Sequence, residues 1–137
     1  MSGTQKKLHK EFCIDSLGGL SLDKNKRKTG NLYEEMAVRY LTDKGYTILD
    51  RNFRDRAGEI DIIALSREAL IFVEVKYRSS GKTGDPLEAV DIRKQNRIRR
   101  TALKYMYFNG YNPECTSVRF DCIGISDAGI NHVENAF

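Results

Sequence analysis

No stretch of this sequence is apolar over anything like the roughly 20 residues that cross a bilayer. Its basic N-terminal segment is not followed by the apolar run of a secretory signal either. The expectation is a cytoplasmic protein with no membrane partner. The cysteines, Cys13, Cys115 and Cys122, are odd in number and lack C-x-x-C spacing, which argues against a disulfide framework and a zinc site alike. They read instead as small thiols in a reducing compartment. His9 and His132 sit at opposite ends of the chain and neither neighbours a cysteine, so histidine-centred catalysis is not indicated. Internal repeats and low-complexity tracts are missing too. What remains is 137 residues, enough for one domain with a real core, and a net charge of +4, which permits an anionic partner.

Residues 1–28, with the basic run "KNKRKTG" and the aperiodic "LGGL", read as a flexible basic leader with a short helical turn around His9–Ile14. Residues 29–137 read as a single α/β domain. Leu32, Met36, Ala37, Tyr40 and Leu41 predict a helix from Asn31 to about Lys44, with Gly45 as its stop and an apolar face centred on Leu32, Met36 and Tyr40. Strands follow over Tyr46–Phe53, Glu59–Leu65 and Leu70–Tyr77, separated by the turns "RDRAG" and "SREA". After the loop "RSSGKTGD", Asp85 caps and Pro86 opens a second helix that runs to about Phe108. Strands at Ser117–Ile125 and around Ile130–Glu134 close the chain. The order α-β-β-β-α-β-β describes a mixed central sheet flanked by helices.

Ionisable residues interrupt the two most apolar strands. With side chains alternating, Glu59, Asp61, Ile63 and Leu65 share one face of their strand, and Ile60, Ile62 and Ala64 the other. Phe72, Glu74 and Lys76 share a face of the next, opposite Ile71, Val73 and Val75. Pairing through the short reversal brings Asp61 beside Glu74. One explanation is an exposed sheet face carrying a weak surface pair. The other is a site in which two carboxylates hold a hard divalent cation while the lysine addresses an anionic substrate. Glu34 borders the apolar face of the first helix and can lean into the sheet, whereas Glu35 points to solvent.

The second helix presents Leu87, Val90, Ile98, Thr101 and Tyr105 inward, with Lys94 in the middle of that stripe. Arg93, Arg97, Arg100 and Lys104 fall close together on the helical wheel, and no acid occurs between Arg93 and Lys104. Such a row is either a solvated face or a track along phosphates.

Four segments in order carry a resemblance: "E-x-x-A-x-x-Y-L-x-x-x-G-Y" (Glu34–Tyr46), "N-F-R-x-x-x-G-E-I-D-I-I-A" (Asn52–Ala64), "F-V-E-V-K-Y-R" (Phe72–Arg78) and "R-F-D" (Arg119–Asp121). Together they resemble the YraN-type bacterial family, which is similar to archaeal Holliday-junction resolvases within the PD-(D/E)-x-K nuclease superfamily. The likeness runs from about residue 30 to the end of the sequence. It implies a restriction-endonuclease-like core and a catalytic set of Asp61, Glu74 and Lys76, with Glu34 as the helix glutamate that resolvase-like members add. It also implies Mg²⁺ (or Mn²⁺) held by Asp61, Glu74 and the main-chain carbonyl of Val75, with Lys94 or Gln95 as the supporting polar position on the helix. The sequence departs from the namesake motif in having Glu59-Ile60 before Asp61 where that motif has proline.

The function these features predict is metal-dependent hydrolysis of phosphodiester bonds in structured DNA. Arg93, Lys94, Arg97, Arg100 and Lys104 are the residues expected to contact the nucleic acid. The resemblance to resolvases implies a homodimer, whose pairing surface the sequence does not define, with the exposed apolar residues of the C-terminal strands as candidates. The alternative is a catalytically silent nucleic-acid-binding module on the same fold; a third reading has the leader dock a protein partner.

Overall fold

The computed structural model describes residues 22–77 and 90–137, with side chains from residue 30 onward. The expected turn at His9–Ile14, the loop after Tyr77, and Asp85, Pro86 and Leu87 lie outside the described residues. Helix α1 spans Leu22–Asp43, strands β1, β2 and β3 span Thr47–Arg54, Glu59–Leu65 and Leu70–Tyr77, helix α2 spans Ile92–Phe108, and β4 and β5 span Val118–Ser126 and Gly129–Val133. This is the α-β-β-β-α-β-β order read from the sequence.

The five strands lie in the order β1-β2-β3-β4-β5. β1 with β2, β2 with β3, and β4 with β5 are antiparallel; β3 with β4 is parallel. α2 provides the crossover that a parallel pair needs. Helices cover both faces of the sheet. On one side Tyr33, Ala37 and Leu41 of α1 pack on Ile62, Ala64, Ile71, Val73, Ile123 and Ile125. On the other, Ile98, Ala102, Tyr105 and Met106 of α2 pack on Ile60, Ile63, Leu70, Phe72 and Cys122. A central strand covered twice must be apolar on both faces, which is why Leu70–Val73 is an unbroken apolar run with all four residues buried.

Four expectations need correcting. α1 begins at Leu22 rather than Asn31; lysine and arginine are good helix formers, and Gly30 is tolerated inside the helix. Its buried row is Tyr33, Ala37 and Leu41, one residue on from the face centred on Leu32, Met36 and Tyr40. Both rows are apolar, but Ala37 is small enough for close approach to the sheet, and Tyr33 stacks on Tyr77 with ring centroids 4.1 Å apart. α2 proper begins at Ile92, because Val90 and Asp91 are not helical and Asp91 is the N-cap, its carboxylate accepting the Lys94 N–H at 2.9 Å. Finally, the large exposed apolar side chains do not lie on the C-terminal strands. Ile92, Leu103, Tyr107 and Phe108 of α2 are the prominent ones among the described residues.

Candidate active site

The β2–β3 ladder runs from Leu65↔Leu70 to Ile62↔Val73 and stops there. One residue further, Asp61 Oδ2 accepts the main-chain N–H of Val75 at 2.8 Å, so a carboxylate replaces the strand carbonyl that would have continued the ladder. Strict alternation fails at this point. Ile63 faces α2 and Ile62 and Ala64 face α1, but Ile60 joins the α2-side cluster instead of following Ile62. The expected grouping of Ile60 with Ile62 and Ala64 is therefore wrong, because the start of β2 swings away from β3 and leaves an opening that Asp61 fills.

Glu74 keeps its expected face and is 5% exposed. Its Oε1 is met by the ammonium of Lys94 from α2 and by that of Lys76, at 3.4 Å, from its own strand. Among the described residues no lysine addresses Oε2. Asp61 and Glu74 line the same cleft, and the charge of Glu74 bears on Asp61. Burial, reinforced by the charge of Glu74 and more weakly by that of Glu34, pushes the Asp61 carboxyl up to about 8 against the opposing N–H of Val75. Burial and the neighbouring Lys94 lower Lys76; burial also acts against Lys94, but its bonds to Glu74 and Lys76 and the charges of Glu74 and Asp61 together raise it. Asp61, Glu74, Lys94, Arg97 and Gly58 line an open cleft of about 290 Å³. The two acids do converge.

Gly58 ends the turn that aims β2. A Cβ there would come within 3.3 Å of Thr101 Oγ1 and 3.4 Å of Arg97 Cβ, so any side chain at this position would press the turn against α2 and require its neighbours to give by a few tenths of an ångström. Asp55 fixes the same turn by accepting the Ala57 and Gly58 N–H groups and the Thr101 hydroxyl.

The remaining predicted residues divide. Glu34 lies near enough to raise Asp61, but its Oε2 accepts the Asn52 amide at 2.9 Å. Glu35 is not solvated as expected; it pairs with Arg51 at 2.5 Å and is 22% exposed. Gln95 spends its amide on the Val90 carbonyl at 2.9 Å, which leaves Lys94 as the helix residue at the cleft. Arg93, Arg97 and Arg100 are exposed along α2. Lys104 instead sits 2.9 Å from Asp55 Oδ2, because the β1–β2 turn brings a buried carboxylate beneath it.

Sequence reasoning passed over Asn52. It occupies a left-handed backbone position (φ 53°) between Arg51↔Ile62 and Phe53↔Ile60, and thus across from Asp61. An asparagine inside a strand, a type depleted there and tolerant of positive φ, was the available signal. Arg119 and Asp121 of "R-F-D" do not join this cleft; they belong to a cluster with His132 and Tyr46.

No group of three or more His, Cys, Asp or Glu side chains suited to a metal occurs among the described residues. The donor set at the cleft nonetheless fits a hard divalent cation that retains water. It offers two carboxylates lining one cleft, that of Asp61 pushed up to about 8 by burial and by the charge of Glu74, and the Val75 carbonyl, which strand geometry turns toward the same opening as its N–H.

The molecule is thus an α/β protein with an acid- and lysine-lined cleft where two strands of a mixed sheet part. The chain belongs to the uncharacterised protein family UPF0102, whose family model matches residues 33–125; this is the YraN-type family to which the four segments point. A UPF0102 protein of Alkaliphilus oremlandii is 48% identical over 115 residues, covering 81% of this chain and 98% of the relative. One from Aliivibrio salmonicida is 45% identical over 114 residues, covering 82% and 93%. One from Clostridioides difficile is 44% identical over 115 residues, covering 82% and 99%.

Proposed function

We propose that this cleft hydrolyses phosphodiester bonds in structured DNA with the help of Mg²⁺ or Mn²⁺. The observation that carries the reading is the meeting of Asp61 and Glu74, from different strands, beside Lys76 and Lys94. Asp61, Glu74 and the Val75 carbonyl would hold the cation. The chemistry a divalent cation supplies there is Lewis-acid polarisation of a phosphate oxygen. Lys76, kept poorly solvated, stabilises negative charge developing on the phosphate. Lys94 neutralises Glu74 and remains within reach of the scissile group. Glu34, held by Asn52, adds a third negative charge beside Asp61. Arg93, Arg97 and Arg100 form an exposed row leading from the cleft, where they hold backbone phosphates without reading bases. Cutting both strands of a branched substrate requires two such sites, hence a homodimer.

The test is cleavage of four-way-junction and linear DNA by the wild type, Asp61→Ala and Glu74→Ala in Mg²⁺ or Mn²⁺. The expected result is loss of cutting by a factor on the order of 10³ with DNA binding retained. Undiminished cutting by both variants would remove the mechanism. Salt-sensitive binding without any product from the wild type would favour the silent binding module.

A further inference from the structure

At the opposite end of the sheet, where α1 ends and β2 turns into β3, a second cleft of about 430 Å³ opens among Lys44, Tyr46, Arg67, Glu68, Arg119 and Glu134. The length of β2, about 20 Å at the usual strand rise, separates it from the first cleft. Its floor is unusually fixed for a surface hollow. Asp121, fully buried, accepts Arg119 Nε and Nη2, each at 2.8 Å, the Asn135 N–H at 3.0 Å, and a bond with His132 Nε2 at 2.7 Å. Arg119 Nη2 also donates to the Tyr46 hydroxyl at 2.7 Å. One edge of the guanidinium is thereby consumed, and its orientation is set by the fold. The two N–H donors of Nη1 have no acceptor among the described residues, although Arg119 is only 19% exposed.

A fixed guanidinium with both Nη1 donors unspent, a tyrosine hydroxyl beside it, and two further cations at the rim form a receptor for a compact oxyanion. Two acids also line the cleft. Glu134 lies 3.4 Å from the Tyr46 hydroxyl and 3.7 Å from Arg119 Nη2, the position an incoming anion would take. It is 52% exposed and free to swing away.

We propose that this second cleft binds a phosphate group, seated on Arg119 Nη1 and Tyr46 Oη and flanked by Lys44 and Arg67, with Glu134 as the side chain it displaces. The group belongs either to a free phosphate compound or to a nucleic-acid backbone. The site is independent of the chemistry assigned to the Asp61–Glu74 cleft.

The test is NMR titration of the full chain with inorganic phosphate and, separately, with a short single-stranded oligonucleotide lacking terminal phosphates. The signals followed are the Gly45 and Ser66 amides and the Arg119 side chain. Saturable shifts there uphold the site: with inorganic phosphate alone they assign it to free phosphate compounds, and with the oligonucleotide to a backbone. Because Arg119 also holds Asp121, the variants are Lys44→Ala and Arg67→Ala, each weakening binding roughly tenfold through a lost charged contact, and Glu134→Gln, which tightens it. A merely structural Arg119–Asp121–His132 cluster predicts no tightening. Shifts confined to Gly58 and Arg97 at the other end, or binding unaltered by Arg67→Ala and Glu134→Gln, would overturn the proposal.

Discussion

The carboxylate of Asp61 stands in for a strand neighbour: it accepts the main-chain N–H of Val75 at 2.8 Å, one step beyond the last paired residues of β2 and β3. The same hydrogen bond that closes the sheet also places an acid against Glu74, and the cost appears in its titration. The Asp61 carboxyl lies at about 8 in the fold and at about 4 in an unfolded chain. Between these values the folded protein binds the extra proton. Stability of the metal-free protein therefore falls as pH rises from about 4 to about 8, by up to about 1.4 kcal/mol per pH unit for one proton. Asp61→Asn keeps an oxygen for Val75 and removes the titration. Urea denaturation across that range should show a flatter profile for the variant, and parallel profiles would disconnect Asp61 from the pH response.

Glu74 is nearly buried and depends on two ammonium groups, of which Lys94 makes the closer contact. Lys94→Met leaves that carboxylate to Lys76 alone. Because Lys94 is 28% exposed, the loss is expected at about 1–3 kcal/mol, below that of a fully buried pair. A divalent cation can replace the missing charge, so Mn²⁺ should raise the Tm of Lys94→Met more than that of the wild type. Equal shifts would mean that lysine and cation do not compete for the same negative charge.

The bounds of β2 and β3 were legible because tight polar turns bracket apolar runs, and the shared face of Glu74, Lys76 and Phe72 followed from alternation alone. Lys94 was legible as a charge at an inward helical position. The facing of Ile60 was not, since alternation presumes a paired strand and β2 leaves its partner at Asp61. Nor was the register of α1, where Tyr33–Leu41 and Leu32–Tyr40 are equally apolar; the stack of Tyr33 on Tyr77 decides between them through a contact remote in sequence. Glu35 was misread for a similar reason, its partner Arg51 being on another element. The Asp121–His132 contact arises only because β5 folds back on β4 with Cys122 opposite Val133. Histidine counted by its chain neighbours gives no hint of it.

Gly58 permits a contact between backbone and helix. Gly58→Val would force the β1–β2 turn off Thr101 and Arg97, with a destabilisation of about 1–3 kcal/mol expected from overpacking. Since that turn leads directly into β2, the proposed cleavage should fall even where the variant remains folded. Full activity in a folded Gly58→Val protein would show that the placement of Asp61 does not depend on this contact.

The cations of α2 separate into two roles that salt can distinguish. Arg93, Arg97 and Arg100 are exposed, and Lys104 is engaged with Asp55 at 2.9 Å. If the arginines hold duplex phosphates, replacing any one with glutamine reduces the slope of log affinity against log salt by about 0.9. Lys104→Gln should leave that slope unchanged, because its charge is already spent on the β1–β2 turn. Its loss should appear as at most about 1 kcal/mol of stability, the pair being half open to water on the lysine side. Fluorescence anisotropy over a salt series, with denaturation of the same variants, separates the two. A slope that responds to Lys104 as strongly as to Arg97 would show that DNA competes successfully with Asp55, and would put Lys104 back on the phosphate track.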